Sequence, residues 1–203
     1  MIAIIDYGMG NLASVQNAFL KVGFPTIITS RPEELLQADK VVLPGVGAFG
    51  DAIYNLRCRG IDQTIYELVQ RQTPLLGICL GLQLLFTESE ENGLHRGLNI
   101  IPGRVRRFRL PADYKVPQIG WNSIRVQPSS RMLAGIPSGS FFYFVHSYYV
   151  VPEDETVVAA RTDYGVNFVS AIEQGSIMAA QFHPEKSSRL GLQILKNFGE
   201  MKQ

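Results

Sequence analysis

The sequence predicts an α/β fold: a doubly wound, mostly parallel central sheet with flanking helices and a β-rich C-terminal half. Three observations lead there. Short apolar runs alternate with amphipathic helical patterns as far as about residue 97, the pattern of parallel strands joined by crossover helices. Asp6, Pro44 and Cys79 each follow such a run, so their loops should share the rim at the C-terminal strand ends, where sheets of this kind hold their sites. Beyond Gly97 the texture changes to successive strand-like runs, which should pack on the same sheet.

The elements follow in order. Ile2 to Ile5 reads as a strand, and the turn Asp6 to Gly10 leads into a helix over 11–22. Asn11 is its expected N-cap, Leu12, Val15, Ala18, Phe19 and Val22 its apolar face, and Gly23 its end. A second strand covers 25–29, and Ser30-Arg31-Pro32-Glu33 has the form of a capping box opening a short helix. A third strand over 40–43 runs into Pro44-Gly45-Val46-Gly47, and helical patterns cover 48–57 and 62–71. Leu75 to Ile78 is a fourth strand, and 80–86 reads as helix. Later strands are expected over 104–109, 123–126, 140–145, 157–161, 168–173 and 176–182, with a hairpin turn at Gln174-Gly175. A last helix over 188–201 places Leu190, Ile194, Leu195 and Phe198 inward.

Composition bounds the function. The chain has 203 residues, 46% hydrophobic and 18% charged, with a net charge of +1. It can bury a full core as a single domain over residues 1–203, and it has no general attraction to nucleic acid or an anionic membrane. The apolar start Met1 to Ile5 lacks a basic flank, and the greasy region 141–151 is interrupted by His146 and Ser147. Neither reads as a signal peptide or a membrane span, and a cytoplasmic location is expected. The two cysteines, Cys58 and Cys79, form no disulfide framework and no metal-ligand pattern. No metal or cofactor is expected.

The chemistry concentrates at Gly77-Ile78-Cys79-Leu80-Gly81. A reactive residue between glycines at a strand-to-helix turn is a nucleophile elbow, where flanking side chains would collide. The helix N-terminus favours thiolate over thiol. A plain buried cysteine is the alternative, and glycines inside a strand argue against it. In His183-Pro184-Glu185, residues two apart share a side and Pro184 stiffens the link. Glu185 can then orient His183, whose other nitrogen takes the proton of Cys79. A structural His–Glu pair or half a metal site is the alternative, and Cys, His and Glu with no other Cys or His nearby make a poor metal set. Backbone N–H groups of the Pro44 to Gly47 loop, with that of Leu80, could form an oxyanion hole, where one donor is worth roughly 3 kcal/mol; an ordinary turn is the alternative.

Other motifs carry less. Gly8-Met9-Gly10-Asn11-Leu12-Ala13 fits a relaxed dinucleotide fingerprint, but Ser30 and Arg31 stand where a ribose-binding acid belongs. Cys58 reads as structural, His95 as a solvated loop residue, and His146 as packing or backbone support. The basic strand 104–109 reads as a solvated face, with an acidic partner or a phosphate as the alternative. Trp121 lies in an expected loop and suits either the core or an interface hot spot.

With Cys79, His183 and Glu185 in place, Gly77-Ile78-Cys79-Leu80-Gly81-Leu82-Gln83 and Gln181-Phe182-His183-Pro184-Glu185 resemble the class I, triad-type glutamine amidotransferases. Asp6 to Leu12, Leu43 to Phe49, Gly120-Trp121-Asn122, Tyr143 to Tyr148 and Pro184 to Ser187 further resemble the glutaminase subunits of imidazole glycerol phosphate synthases, over essentially the whole chain. The resemblance implies hydrolysis of glutamine to glutamate and ammonia through a Cys79 glutamyl thioester. His183 would shuttle protons and Glu185 orient it. It implies Val46 and Leu80 as oxyanion donors. Gln83 and the backbone near Gly47 and at His146 and Ser147 would hold the substrate's amino-acid end. Asn11, Trp121 and Lys186 would face the partner, a (β/α)8-barrel cyclase joined as a heterodimer. The ammonia would serve imidazole glycerol phosphate synthesis in histidine biosynthesis. Gln118 departs from the pattern, which more often has histidine there, and this bears on one interface loop. A glutaminase subunit of another synthase, a partner-independent cysteine hydrolase and a non-catalytic interaction subunit are the competing readings.

Overall fold

The computed structural model describes residues 1–201. Five strands form a parallel block in the order β2 (Thr26–Thr29), β1 (Ile2–Ile5), β3 (Lys40–Gly45), β4 (Leu75–Cys79) and β14 (Ile177–Ala180). The sheet then continues antiparallel through β13 (Asn167–Gln174), β11 (Tyr148–Pro152) and β7 (Ile101–Arg107). Beyond them lie β5 (Phe86–Ser89), parallel to β7, and β6 (His95–Arg96). On a side branch, β12 (Val158–Asp163) pairs with β13 and β9 (Arg125–Val126). The β-rich half therefore extends the one mixed sheet of twelve strands. A separate antiparallel ribbon joins β8 (Gln118–Ser123) to β10 (Phe141–His146).

Side-chain alternation divides the core between the two faces of the sheet. Ala3, Ile5, Val41, Leu43 and Leu75 pack against α2 (Pro32–Leu36), α3 (Phe49–Cys58) and α4 (Ile61–Gln70). Ile2, Ile4, Val42, Leu76 and Ile78 face the other way, onto α1 (Leu12–Lys21), α6 (Ser188–Glu200) and the inner face of the β8–β10 ribbon. The apolar face expected for the first helix is the one that docks, and Ile194, Leu195 and Phe198 of α6 are fully buried. Among the described residues, no helix is long and apolar enough to cross a membrane.

Several local expectations fail for identifiable reasons. Asn11 precedes α1 but makes no capping hydrogen bond from its side chain. No capping box forms at Ser30: Arg31 is the N-cap of α2, and Thr29 Oγ1 takes the Arg31 N–H at 3.1 Å. The elbow helix α5 (Leu80–Leu84) is one short turn, and Phe86 already belongs to β5. The run 141–151 divides at Ser147 into β10 and β11, which enter different sheets. Trp121 lies on β8 rather than in a loop. His95 lies on β6, half-buried, with its ring against Gly50 rather than in solvent. Gln118, where the sequence departs from the family pattern, is buried, and its carboxamide oxygen lies 3.0 Å from His146 Nε2.

A backbone contact fixes the tautomer of His146. His146 Nδ1 lies 2.7 Å from the Tyr148 carbonyl oxygen, which only accepts, so Nδ1 carries the proton. Nε2 of the neutral ring is then an acceptor; Gln118 Oε1 lies 3.0 Å from it, and the carboxamide pairs with the ring only when turned over to present its NH2. Burial holds this imidazole down at a pKa of about 4, against a weaker upward pull from the Tyr148 carbonyl.

Two predictions follow from this packing. A Cβ on Gly81 would stand 1.9 Å from the Leu43 carbonyl oxygen, so Gly81→Ala should lower unfolding stability in urea by about 3 kcal/mol or more; an unchanged midpoint would contradict the close approach. For His146, the unfolded chain takes up a proton below the ordinary value of 6.5 that the folded chain refuses until about 4. Folding stability should therefore fall between those limits as pH drops, by on the order of 3 kcal/mol. His146→Gln should remove that part of the acid slope, whereas parallel stability–pH curves would show that burial does not control the group.

Candidate active site

The site begins with strain. Cys79 closes β4 at φ +55° and ψ −109°, a conformation side chains rarely adopt. Its neighbours leave it little choice. A Cβ on Gly77 would stand 2.9 Å from Ala179 Cβ, and the Gly81 position is closed by Leu43. The chain can turn from strand to helix in this space only with hydrogen atoms at both flanks, and the turn presents the sulfur at the start of α5. Leu80, first residue of that helix, has an N–H with no intrahelical partner.

His183 arrives from β14, paired parallel with β4. Its backbone is tied to the ribbon: the His183 N–H donates to the Tyr143 carbonyl at 3.0 Å, and the Tyr143 N–H donates to Ser187 Oγ at 3.0 Å. The Ser187 hydroxyl donates back to the His183 carbonyl at 2.6 Å. Pro184–Lys186 forms a single 3-10 turn that brings Glu185 Oε1 to 2.8 Å from His183 Nδ1. Because a carboxylate only accepts, Nδ1 carries the proton and Nε2 is the nitrogen left for the sulfur. Burial alone would lower the pKa of His183, but its hydrogen bonds to Cys79 and Glu185 outweigh burial and hold it above the ordinary histidine value. An imidazolium is thereby favoured beside the sulfur. Tyr7 is pushed well above the ordinary phenol range, by burial and then by the charge of Cys79. Its hydroxyl donates to the Pro44 carbonyl at 2.9 Å and anchors the start of the glycine loop.

One cavity of about 330 Å³ collects most of the expected residues: Val46, Gly47, Cys79, Leu80, Gln83, His146, Ser147, His183 and Lys186 all line it. Glu185 stands behind His183, as sequence spacing requires. Asn11 and Trp121 are not part of the wall. Trp121 is 52% exposed, on the outer face of the ribbon with Ile119 and Phe141, which puts it in neither the core nor the cavity.

Two contributors escaped the sequence reading. Glu91 lines the cavity, and its carboxylate accepts the Phe49 N–H at the start of α3 at 2.7 Å; nothing in its polar loop marks it out. Gln181 is fully buried with Nε2 3.7 Å from Cys79 Sγ. In sequence it stood at the head of the Gln181 to Glu185 motif that carries the family resemblance, with no role of its own. The basic strand, by contrast, borders an open groove of about 410 Å³, where Arg104 and Arg109 pair with Glu88 and Glu90 at 3.0 and 3.8 Å. These pairs are mostly solvated, and the groove holds no nucleophile.

Comparison with known proteins agrees with this geometry. Residues 3–201 match the family model described as glutamine amidotransferase class-I. A protein of Syntrophotalea carbinolica named imidazole glycerol phosphate synthase subunit HisH is 57% identical over 208 residues, covering 99% of this chain and 100% of the relative. A protein of the same name from Moorella thermoacetica is 55% identical, covering 98% and 94%. Among solved structures, one described as a glutamine amidotransferase superposes with a TM-score of 0.73 at 21% identity, covering 98% of this chain and 100% of the other. PurLQS from Thermotoga maritima gives 0.73 at 17%, covering 98% and 95%. At those identities the structural likeness speaks for the fold, while the family model and the close relatives carry the assignment: the chain belongs to the class I glutamine amidotransferases.

Proposed function

We propose that this chain is the glutaminase subunit of an imidazole glycerol phosphate synthase, releasing ammonia from glutamine for a (β/α)8-barrel cyclase subunit. The observation that carries the chemistry is the shared cavity, with Cys79 and His183 in its wall and Glu185 Oε1 2.8 Å from the far side of the imidazole. Sulfur attacks the substrate carboxamide carbon, and the thiol proton passes through His183 Nε2 to the departing nitrogen. The C–N bond breaks, ammonia leaves, and a glutamyl thioester remains on Cys79. Water then attacks that carbonyl, gives one proton to His183, and releases glutamate and the cysteine sulfur. Both steps place negative charge on the carbonyl oxygen, and the N–H groups of Leu80 and Val46 are its proposed donors. The substrate end is zwitterionic. Glu91 offers a counter-charge to its ammonium, and Gln83, Gly47, His146 and Ser147 complete the walls.

A partner follows from both chemistry and surface. Ammonia released into neutral water is protonated and loses its nucleophilicity. Val145 and Pro117 border both the cavity and the ribbon whose exposed face carries Ile119, Trp121 and Phe141. An apolar face beside the nucleophile suits an interface, and an exposed Trp is a suitable anchor. Asn11 and Lys186 extend the proposed contact. Gly47 at φ +95° gives the Pro44 to Gly47 loop a pivot, so that docking can turn Val46 toward the oxyanion.

The deciding experiment measures glutamate release from glutamine by the chain alone, then with its cognate cyclase subunit and that subunit's nucleotide ligand. Slow release alone, a large increase in the complex, and a loss of at least about a thousandfold in Cys79→Ala are expected. Full activity without the partner would overturn the gating, and activity surviving in Cys79→Ala would overturn the nucleophile.

A further inference from the structure

We infer that Gln181 is a positioning residue for the nucleophile: its carboxamide NH2 donates to Cys79 Sγ, and Gln83 holds the carboxamide in that orientation. Gln181 is 0% exposed and follows β14 two residues before His183. Its Nε2 lies 3.7 Å from Sγ, and its Oε1 lies 3.0 Å from Gln83 Nε2. The second N–H of Gln83 Nε2 reaches the Tyr148 carbonyl oxygen at 3.1 Å.

The direction of this chain is set at its far end. A carboxamide can turn over and exchange its nitrogen and oxygen, so neither glutamine fixes itself. The Tyr148 carbonyl can only accept, so Gln83 must present NH2 there. The same nitrogen meets Gln181, which must answer with Oε1 and is left with NH2 facing sulfur. A backbone carbonyl on β11 thus decides, through two side chains, that the sulfur sees a donor. The arrangement leaves Gln83 Oε1 for a ligand in the cavity.

A donor favours thiolate, because a hydrogen bond to the charged form is the stronger one. The Val145 carbonyl oxygen, 3.8 Å from Sγ, accepts from the thiol and favours the opposite state. The titratable groups around the sulfur come from several elements. They are His183 with Glu185 after β14, Tyr7 after β1, His146 on β10 and Tyr148 on β11, with Glu91 and Lys186 in the cavity wall. His183 supplies the charge; Gln181 supplies a neutral donor that stays in place when the imidazole gives up its proton to the leaving group. That is the stage at which a positioned donor keeps the sulfur aligned.

This inference rests on Cys79 being the nucleophile, and its test separates the two. The rate of carbamidomethylation by iodoacetamide is followed against pH in a Cys58→Ser background, because Cys58 is an exposed free thiol. Gln181→Met fills similar volume without a donor. It should move the reactivity midpoint up by about one pH unit, or about tenfold less thiolate at any pH below it. Gln83→Met, which leaves Gln181 free to turn over, should move it in the same direction by less, and the double variant should add little to Gln181→Met. A packing role alone would lower thermal stability and leave the midpoint where it was. A folded Gln181→Met with an unmoved midpoint overturns the inference; should that variant not fold, an unmoved midpoint in Gln83→Met does the same. Neither result touches the glutaminase reading, which stands or falls on glutamate release by Cys79→Ala.

Discussion

Cys79 sits at φ +55° because the packing around it permits no other path from β4 to α5. A non-glycine residue held in such a region costs of order 1–3 kcal/mol and persists only where its surroundings over-determine it. The surroundings are Ala179 on β14 and the Leu43 carbonyl on β3, strands that flank β4 on either side. The parallel block of the sheet is therefore the clamp that aims the sulfur. Relaxing the turn would require moving two strands that are each buried among core side chains.

The second half of the site is held by different means. His183 is aimed by a closed loop of hydrogen bonds among Tyr143, Ser187 and its own backbone. These join the turn after β14 to the β8–β10 ribbon rather than to the parallel block. Glu185 fixes the ring's tautomer with one carboxylate oxygen, while the other, Oε2, is buried with no partner among the described residues. A carboxylate so poorly satisfied gains from a positive charge next to it, consistent with a His183 pKa held above the ordinary value. The ribbon also carries the exposed Trp121 on its outer side. Under the proposed function, a partner seated there would press on the element that positions His183, which would tie docking to catalysis without requiring the elbow to move.

Much of this was legible in the residues. Gly77 and Gly81 announced the elbow because close approach admits only a hydrogen at those positions, and the structure supplies the colliding atoms. His183-Pro184-Glu185 announced its pair because two-residue spacing and a proline leave the side chains few ways to miss each other. The first four strands were read in place, since each is a continuous apolar run bounded by glycine, proline or a helix signal. What stayed hidden depends on distant chain segments. The division of 141–151 into two strands in two sheets is decided by which edges are available, and the local sequence is apolar on both sides of Ser147. Gln118 showed in sequence only as a departure from the family pattern; its burial beside His146 Nε2 depends on the pairing of β8 with β10. Glu91 and Gln181 are held at the site by contacts 42 and about a hundred residues away in the chain, for which periodicity gives no sign.

If the strained elbow makes the Cys79 sulfur the acyl acceptor, the acyl group should be found there during turnover. Mass spectrometry of the complex, quenched in acid during turnover of glutamine and digested, tests it most directly. The account predicts a glutamyl adduct on the peptide containing Cys79 and none on the peptide containing Cys58. Turnover with no adduct on Cys79, or an adduct on another residue, would contradict it.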